Sequence, residues 1–167
     1  MQKLMSGLSL LAFVLFPLVL PVYAQNIHAD LPYANTGDRD LLLDIYLPTN
    51  LGQAPPLLIW LHGGSWRGGD KGNAPTGFVE RGYALASIDF RNSPEAKFPA
   101  QIHDIKAAIR WLRANADTFG FDPDKFVLWG YSSGAHLATL SGTSEFQPDL
   151  EGTLGDYPET SSAVQAI

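Results

Sequence analysis

Between Leu41 and Leu47 the apolar positions alternate. Leu41, Leu43, Ile45 and Leu47 fall on one side of an extended chain and Leu42, Asp44 and Tyr46 on the other, the period of a half-buried strand. Asn35-Thr36-Gly37-Asp38 supplies a turn ahead of it, so Ile27 to Pro48 is expected to form a hairpin. After a Gly- and Pro-rich loop from Thr49 to Pro56, Leu57-Leu58-Ile59-Trp60-Leu61 is continuous rather than alternating, as in a strand covered on both faces of a parallel sheet. A short helix is expected from about Pro75 to Arg81, stopped by Gly82, and a strand from Tyr83 to Phe90. Ile102, Ile105, Ile109, Leu112 and Ala116 recur at helical spacing with Arg110, Arg113 and Asn115 off that stripe, and Gly120 with Asp122-Pro123-Asp124 ends this helix. Phe126 to Trp129 forms a further buried strand, followed by a helix of small residues. Beyond Ser144 the chain turns polar, and Ala163 to Ile167 reads as the beginning of one more strand. Strands alternating with helices predict an α/β fold, a mostly parallel sheet with an N-terminal antiparallel hairpin, and a ligand site beyond the carboxyl ends of the strands.

The N-terminus has its own pattern. Lys3 is followed by an uncharged run from Leu4 to Ala29, most apolar from Leu8 to Leu20, with Pro17 and Pro21 breaking it ahead of Val22-Tyr23-Ala24. Small residues at those positions are what a signal peptidase reads, so residues 1–24 are expected to be a signal peptide cleaved after Ala24. The product would be secreted or periplasmic, with no stable membrane span after cleavage. Residues 25–167 then form one domain. Without Lys3 the domain carries 17 Asp and Glu against 10 Lys and Arg, an acidic balance that makes nucleic acid an unsuitable partner. The chain has no cysteine, hence neither disulfides nor zinc thiolates.

Chemistry enters at two places. Gly130-Tyr131-Ser132-Ser133-Gly134 lies between a strand and a helix, the context of a nucleophile elbow, in which a sharp turn lifts the serine hydroxyl above the sheet. Gly130 and Gly134 would avoid collisions with the helix and the neighbouring strand. The second place is His62 to Gly72, the most glycine-dense stretch, where backbone N–H groups can approach a ligand unobstructed. Serine chemistry needs an exposed hydroxyl, a base with its orienting acid, and N–H donors for the oxyanion. Ser132 supplies the first, and Gly63, Gly64 and Ser133 the third. Trp66 can line a substrate pocket or simply pack. Asp89 and Arg91 suggest an ion pair and Asp104 a bond to backbone near the elbow, while Asp70 and Lys71 are expected to face solvent. Neither a metal-ligand spacing nor a phosphate loop is present, so no metal or cofactor is called for.

HGGSW, followed by the run from Ile88 through Tyr131-Ser132-Ser133-Gly134-Ala135-His136-Leu137-Ala138, resembles the esterase and lipase branch of the α/β-hydrolase fold that includes hormone-sensitive-lipase-like and feruloyl-esterase-like enzymes. The similarity covers about Asp40 to Leu140. It implies Ser132 as nucleophile, Gly63, Gly64 and Ser133 as oxyanion-hole donors, and a small-molecule or polysaccharide-linked ester as substrate. This chain departs from members close to hormone-sensitive lipase at Tyr131, Ser133 and Ala135, where they carry Asp, Ala and Gly, and at Ser65, where many lipases have a third glycine.

In this fold the acid and the histidine follow the serine in chain order. Here only His136 follows Ser132, in the first turn of the next helix and too close along the chain to swing over the serine. His62 is expected to brace the glycine loop, His103 to lie on the outer helix and His28 on the hairpin. Asp149 and Asp156 precede the strand that the acid should follow. The expectation is therefore a partial α/β-hydrolase domain, truncated at the strand after the elbow helix and inactive by itself. A binding protein of the same fold, or a serine peptidase or acyltransferase, is the alternative.

Overall fold

The computed structural model describes residues 26–49 and 52–167. The proposed signal peptide lies outside them. Five strands form one mixed sheet: β1 (Asn26–Asn35), β2 (Asp40–Leu47), β3 (Leu57–Leu61), β4 (Ala84–Ile88) and β5 (Phe126–Gly130), in the spatial order β1-β2-β4-β3-β5. β1 and β2 make the hairpin, β2 pairs antiparallel with β4, and β3 pairs parallel with both β4 and β5. Gln165 N–H donates to Phe126 O and Leu128 N–H to Ala166 O, so the C-terminal segment lies alongside β5 through a single parallel bridge.

β3 is apolar on both faces because both are covered. Leu57, Ile59 and Leu61 face the main core with helix α1 (Ala100–Ala114), whose Ile102, Ile105, Ile109 and Leu112 are fully buried. Removing each such side chain from water contributes about 1.5–3 kcal/mol. Leu58 and Trp60 face a smaller cluster with Leu85 and Val79. The segment expected as a helix from Pro75 is a 3₁₀ helix, Thr76–Arg81, closed by Gly82 at φ 88°. α1 is interrupted at Asn115, whose side-chain amide donates to Trp111 O at 2.8 Å, and a short α2 (Ala116–Phe119) runs on to Gly120. α3 (Ser133–Thr143) follows β5, and a single turn, α4 (Pro148–Glu151), comes after it.

Arg110, off the apolar stripe, is nevertheless buried, and so is Lys106. The polar segment after Ser144 folds over this flank of α1. Glu151 takes ion pairs from Lys106 Nζ at 2.7 Å and Arg110 at 2.9 Å, while Arg110 also donates to Leu154 O. Burial raises the carboxyl's pKa, but the hydrogen bonds and the two cations outweigh it and hold Glu151 below the usual glutamate value. Among the described residues no helix is long and apolar enough to cross a membrane, and no group of three or more His, Cys, Asp or Glu could hold a metal ion.

Candidate active site

β3 and β5 end level, with Leu61 opposite Gly130, and the next residues of each carry the chemistry. At Ser132 the backbone turns through φ 54°, ψ −121°, and α3 starts at the following residue. A positive φ at a residue with a Cβ costs about 1–2 kcal/mol and persists only where packing imposes it. The packing here is tight. A Cβ at Gly134 would overlap the carbonyls of Leu61 and His62, and one at Gly130 would overlap Gly134. Helix α3 is thus seated directly on the end of β3, leaving the Ser132 side chain exposed.

The glycine loop meets this turn. A Cβ at Gly63 would sit 3.0 Å from Tyr131 O and 3.3 Å from Ser132 Cβ, so the loop can come this close only without a side chain. Gly64 has φ 136°, and Ser65 and Trp66 follow at φ 56° and 60°. Gly63, Gly64 and Ser132 share a cleft of about 270 Å³ with Trp60, His62 and Tyr131. Among the described residues, the N–H groups of Gly63, Gly64 and Ser133 donate to no protein acceptor, and Ser132 Oγ has no hydrogen-bond partner. Free donors beside an exposed hydroxyl at a strained turn can bind the oxyanion of an acyl-transfer intermediate. Larger clefts lie elsewhere: one of about 460 Å³ is lined by Leu47, Pro55 and Phe119, and one of about 570 Å³ by residues of the segment after Ser144.

The histidines engage groups other than Ser132, although His62 lines the same cleft. His62 is stacked on Phe90 at 4.3 Å, and its Nδ1–H donates to Gly63 O at 2.8 Å. His136 Nδ1 accepts from Trp66 Nε1 at 3.3 Å, the two rings standing edge to face. Trp66 is 43% exposed and stands with His136 outside the lining of the Ser132 cleft. His103 Nε2 bonds Asp149 O, and His28 packs on Phe119.

Three sequence expectations are corrected. Arg91 pairs with Asp104, not Asp89: the fully buried Asp104 carboxylate takes the Arg91 guanidinium at 2.5–3.1 Å and its N–H at 2.9 Å. Asp104 therefore does bind backbone, but at the end of β4 rather than at the elbow. Asp89 instead accepts the Lys71 N–H at 2.9 Å, and burial pushes its carboxyl above the usual range. Lys71 is not solvated. Its ammonium bridges Asp30 and Asp44 at 2.8 and 2.7 Å; burial works against the charge, but these carboxylates hold it above the ordinary lysine range. Asp70 is exposed, as expected. The missed signal was Asp44, a carboxylate in the middle of a core strand that needed a cationic partner.

Residues 43–167 match the BD-FAE family. The chain belongs to that family. Among curated proteins, Esterase LipQ of Mycobacterium tuberculosis is 38% identical over 146 residues, covering 83% of this chain and 33% of LipQ. Among solved structures, a truncated form of a carbohydrate esterase from gut microbiota superposes with a TM-score of 0.74 at 33% identity, over 85% of this chain and 54% of that one. The native Est2 esterase of Thermogutta terrifontis gives 0.69 at 29% identity, over 87% and 52%. This BD-FAE chain has the α/β-hydrolase fold and spans about a third of the length of the curated relatives it matches.

Proposed function

We propose that this BD-FAE chain carries the nucleophile and oxyanion donors of an exported serine carboxylic-ester hydrolase. The observation that carries the proposal is Ser132 held at positive φ in the cleft it shares with Gly63 and Gly64. Ser132 Oγ attacks the ester carbonyl while its proton passes to a base. The N–H groups of Gly63, Gly64 and Ser133 stabilise the tetrahedral oxyanion, and the alkoxy group departs with the proton as an alcohol. Water then attacks the acyl-enzyme by the same route, releasing the acid and regenerating Ser132. None of the described histidines takes the base position, so the reaction requires a histidine and an acid from elsewhere in the functional protein. Esters of small acids are the substrates, and the resemblance to a carbohydrate esterase supports esters borne on a polysaccharide.

In the full-length protein, Ser132→Ala is expected to lower kcat for a short acyl ester by about 10⁴-fold or more, because nothing else forms the covalent intermediate. Ser133→Ala is expected to change it little, since the donor is a backbone N–H. An inactive Ser133→Ala beside an active Ser132→Ala would overturn the assignment. Trp66, fixed by His136 just outside the cleft lining, is proposed to meet the part of a substrate that extends beyond the cleft. Trp66→Ala should raise KM several-fold with a smaller change in kcat, as steady-state kinetics over an acyl series would measure; an unchanged KM throughout would mean that Trp66 only packs.

A further inference from the structure

We propose that Lys71 is a positioning residue for the oxyanion donors, holding the glycine loop in register with Ser132 from outside the cleft; this rests on the ester-hydrolase reading above. Every polar group of Lys71 is bound. Its ammonium bridges Asp30 on β1 and Asp44 on β2. Its N–H donates to Asp89, just past β4, at 2.9 Å, and its carbonyl accepts from Ser87 Oγ on β4 at 2.7 Å. The Asp44 carboxylate also accepts the Asp30 backbone N–H at 2.8 Å, so it fixes the β1 backbone from which the second carboxylate reaches Lys71. One loop residue is thereby tied to three strands.

The tie is transmitted to the donors by contact. Two residues before Lys71, Gly69 lies against Gly63 O and the His62 ring so closely that a Cβ there would overlap both. Gly63 in turn lies against Tyr131 and Ser132. Between these points the backbone has positive φ at Gly64, Ser65, Trp66 and Gly69; the glycines adopt it freely, but Ser65 and Trp66 do so against their preference, so the arc needs both ends held. His62, stacked on Phe90, holds one end. Lys71 holds the other.

The test compares Lys71→Met, Lys71→Arg and Asp30→Asn with wild type in the full-length protein, measuring kcat and KM for a 4-nitrophenyl ester and Ki for a trifluoromethyl ketone. The ketone adds Ser132 Oγ to its carbonyl carbon, the serine proton passing to the base, and leaves an oxyanion on the donors. Lys71→Met should raise Ki and lower kcat together by about 10–100-fold, short of the loss of a whole oxyanion donor, with KM moved less than about threefold. Lys71→Arg should recover most of the loss. Asp30→Asn, at an exposed carboxylate where the fold is not at risk, should move Ki in the same direction by several-fold. Folded Lys71→Met with Ki within twofold of wild type, or a lowered kcat at unchanged Ki, overturns the inference; should Lys71→Met not fold, Asp30→Asn with unchanged Ki overturns it. Wild-type protein that neither turns over the ester nor binds the ketone overturns the reaction itself, and this inference with it.

Discussion

Removing the Glu151 carboxylate is expected to be among the most damaging single changes outside the apolar core. Lys106 and Arg110 have side chains only 1% exposed, and Glu151 is the acid paired with both. Deleting one partner of a buried pair costs about 3–5 kcal/mol, because the remaining charge stays desolvated without compensation. Two effects reduce that figure. Glu151 is 30% exposed, so water can reach the vacated position, and the cations keep carbonyl acceptors, Ser144 O for Lys106 and Glu151 O and Leu154 O for Arg110. Glu151→Ala is therefore expected to cost about 2–4 kcal/mol, read as a fall in the urea midpoint at unchanged m. Lys106→Met should cost clearly less, about 1.5 kcal/mol or under, because it removes the buried charge and keeps the hydrocarbon stem. The pH dependence has a fixed sign. Glu151 is held below the ordinary glutamate value of 4.5, so its contribution is present above the unfolded pKa and is lost as pH falls through the lower folded one. The advantage of wild type over Glu151→Gln should thus be full at pH 7 and shrink below about pH 4.5. A Glu151→Ala cost under about 1 kcal/mol, or Lys106→Met costing more than Glu151→Ala, would refute this reasoning.

Gly134→Ala, whose methyl would overlap the Leu61 and His62 carbonyls, should destabilise by several times the ~1 kcal/mol cost of an ordinary misfit; a thermal melt like that of wild type would show that α3 is not seated on β3 as described. For the expected export signal, mass spectrometry of protein from an exporting host should find an N-terminus at Gln25, and a retained Met1 would exclude cleavage after Ala24.

The parts of the fold legible in the sequence were those written in local periodicity. The unbroken Leu57–Leu61 run gave a doubly covered strand, the Ile102-Ile105-Ile109-Leu112 stripe gave α1, and Gly82 and Gly120 gave stops. Ser132 was placed between strand and helix by the same means. What was not legible depends on partners distant along the chain. Arg110 lies off the apolar stripe, and neither it nor Lys106 has a visible partner until the segment carrying Glu151 closes over them; Lys71 reads as solvated until Asp30 and Asp44 are brought to it by the hairpin. Arg91 had a carboxylate two residues away and took Asp104 instead, because Asp89 is already committed to the Lys71 backbone. Periodicity fixes which face a residue occupies, whereas ion pairing is decided by the tertiary fold.

The pairing of Leu61 with Gly130 has a kinetic meaning. Hairpin β1–β2 joins neighbours along the chain, but β3 and β5 meet only after a loop of about 70 residues has closed, and closure entropy must be met before the contact returns anything. The cleft is therefore expected among the last parts of the described fold to assemble. During synthesis it stays open until Gly130 and the α3 residues behind it have emerged, so the strained serine is created only once α3 can seat on the end of β3.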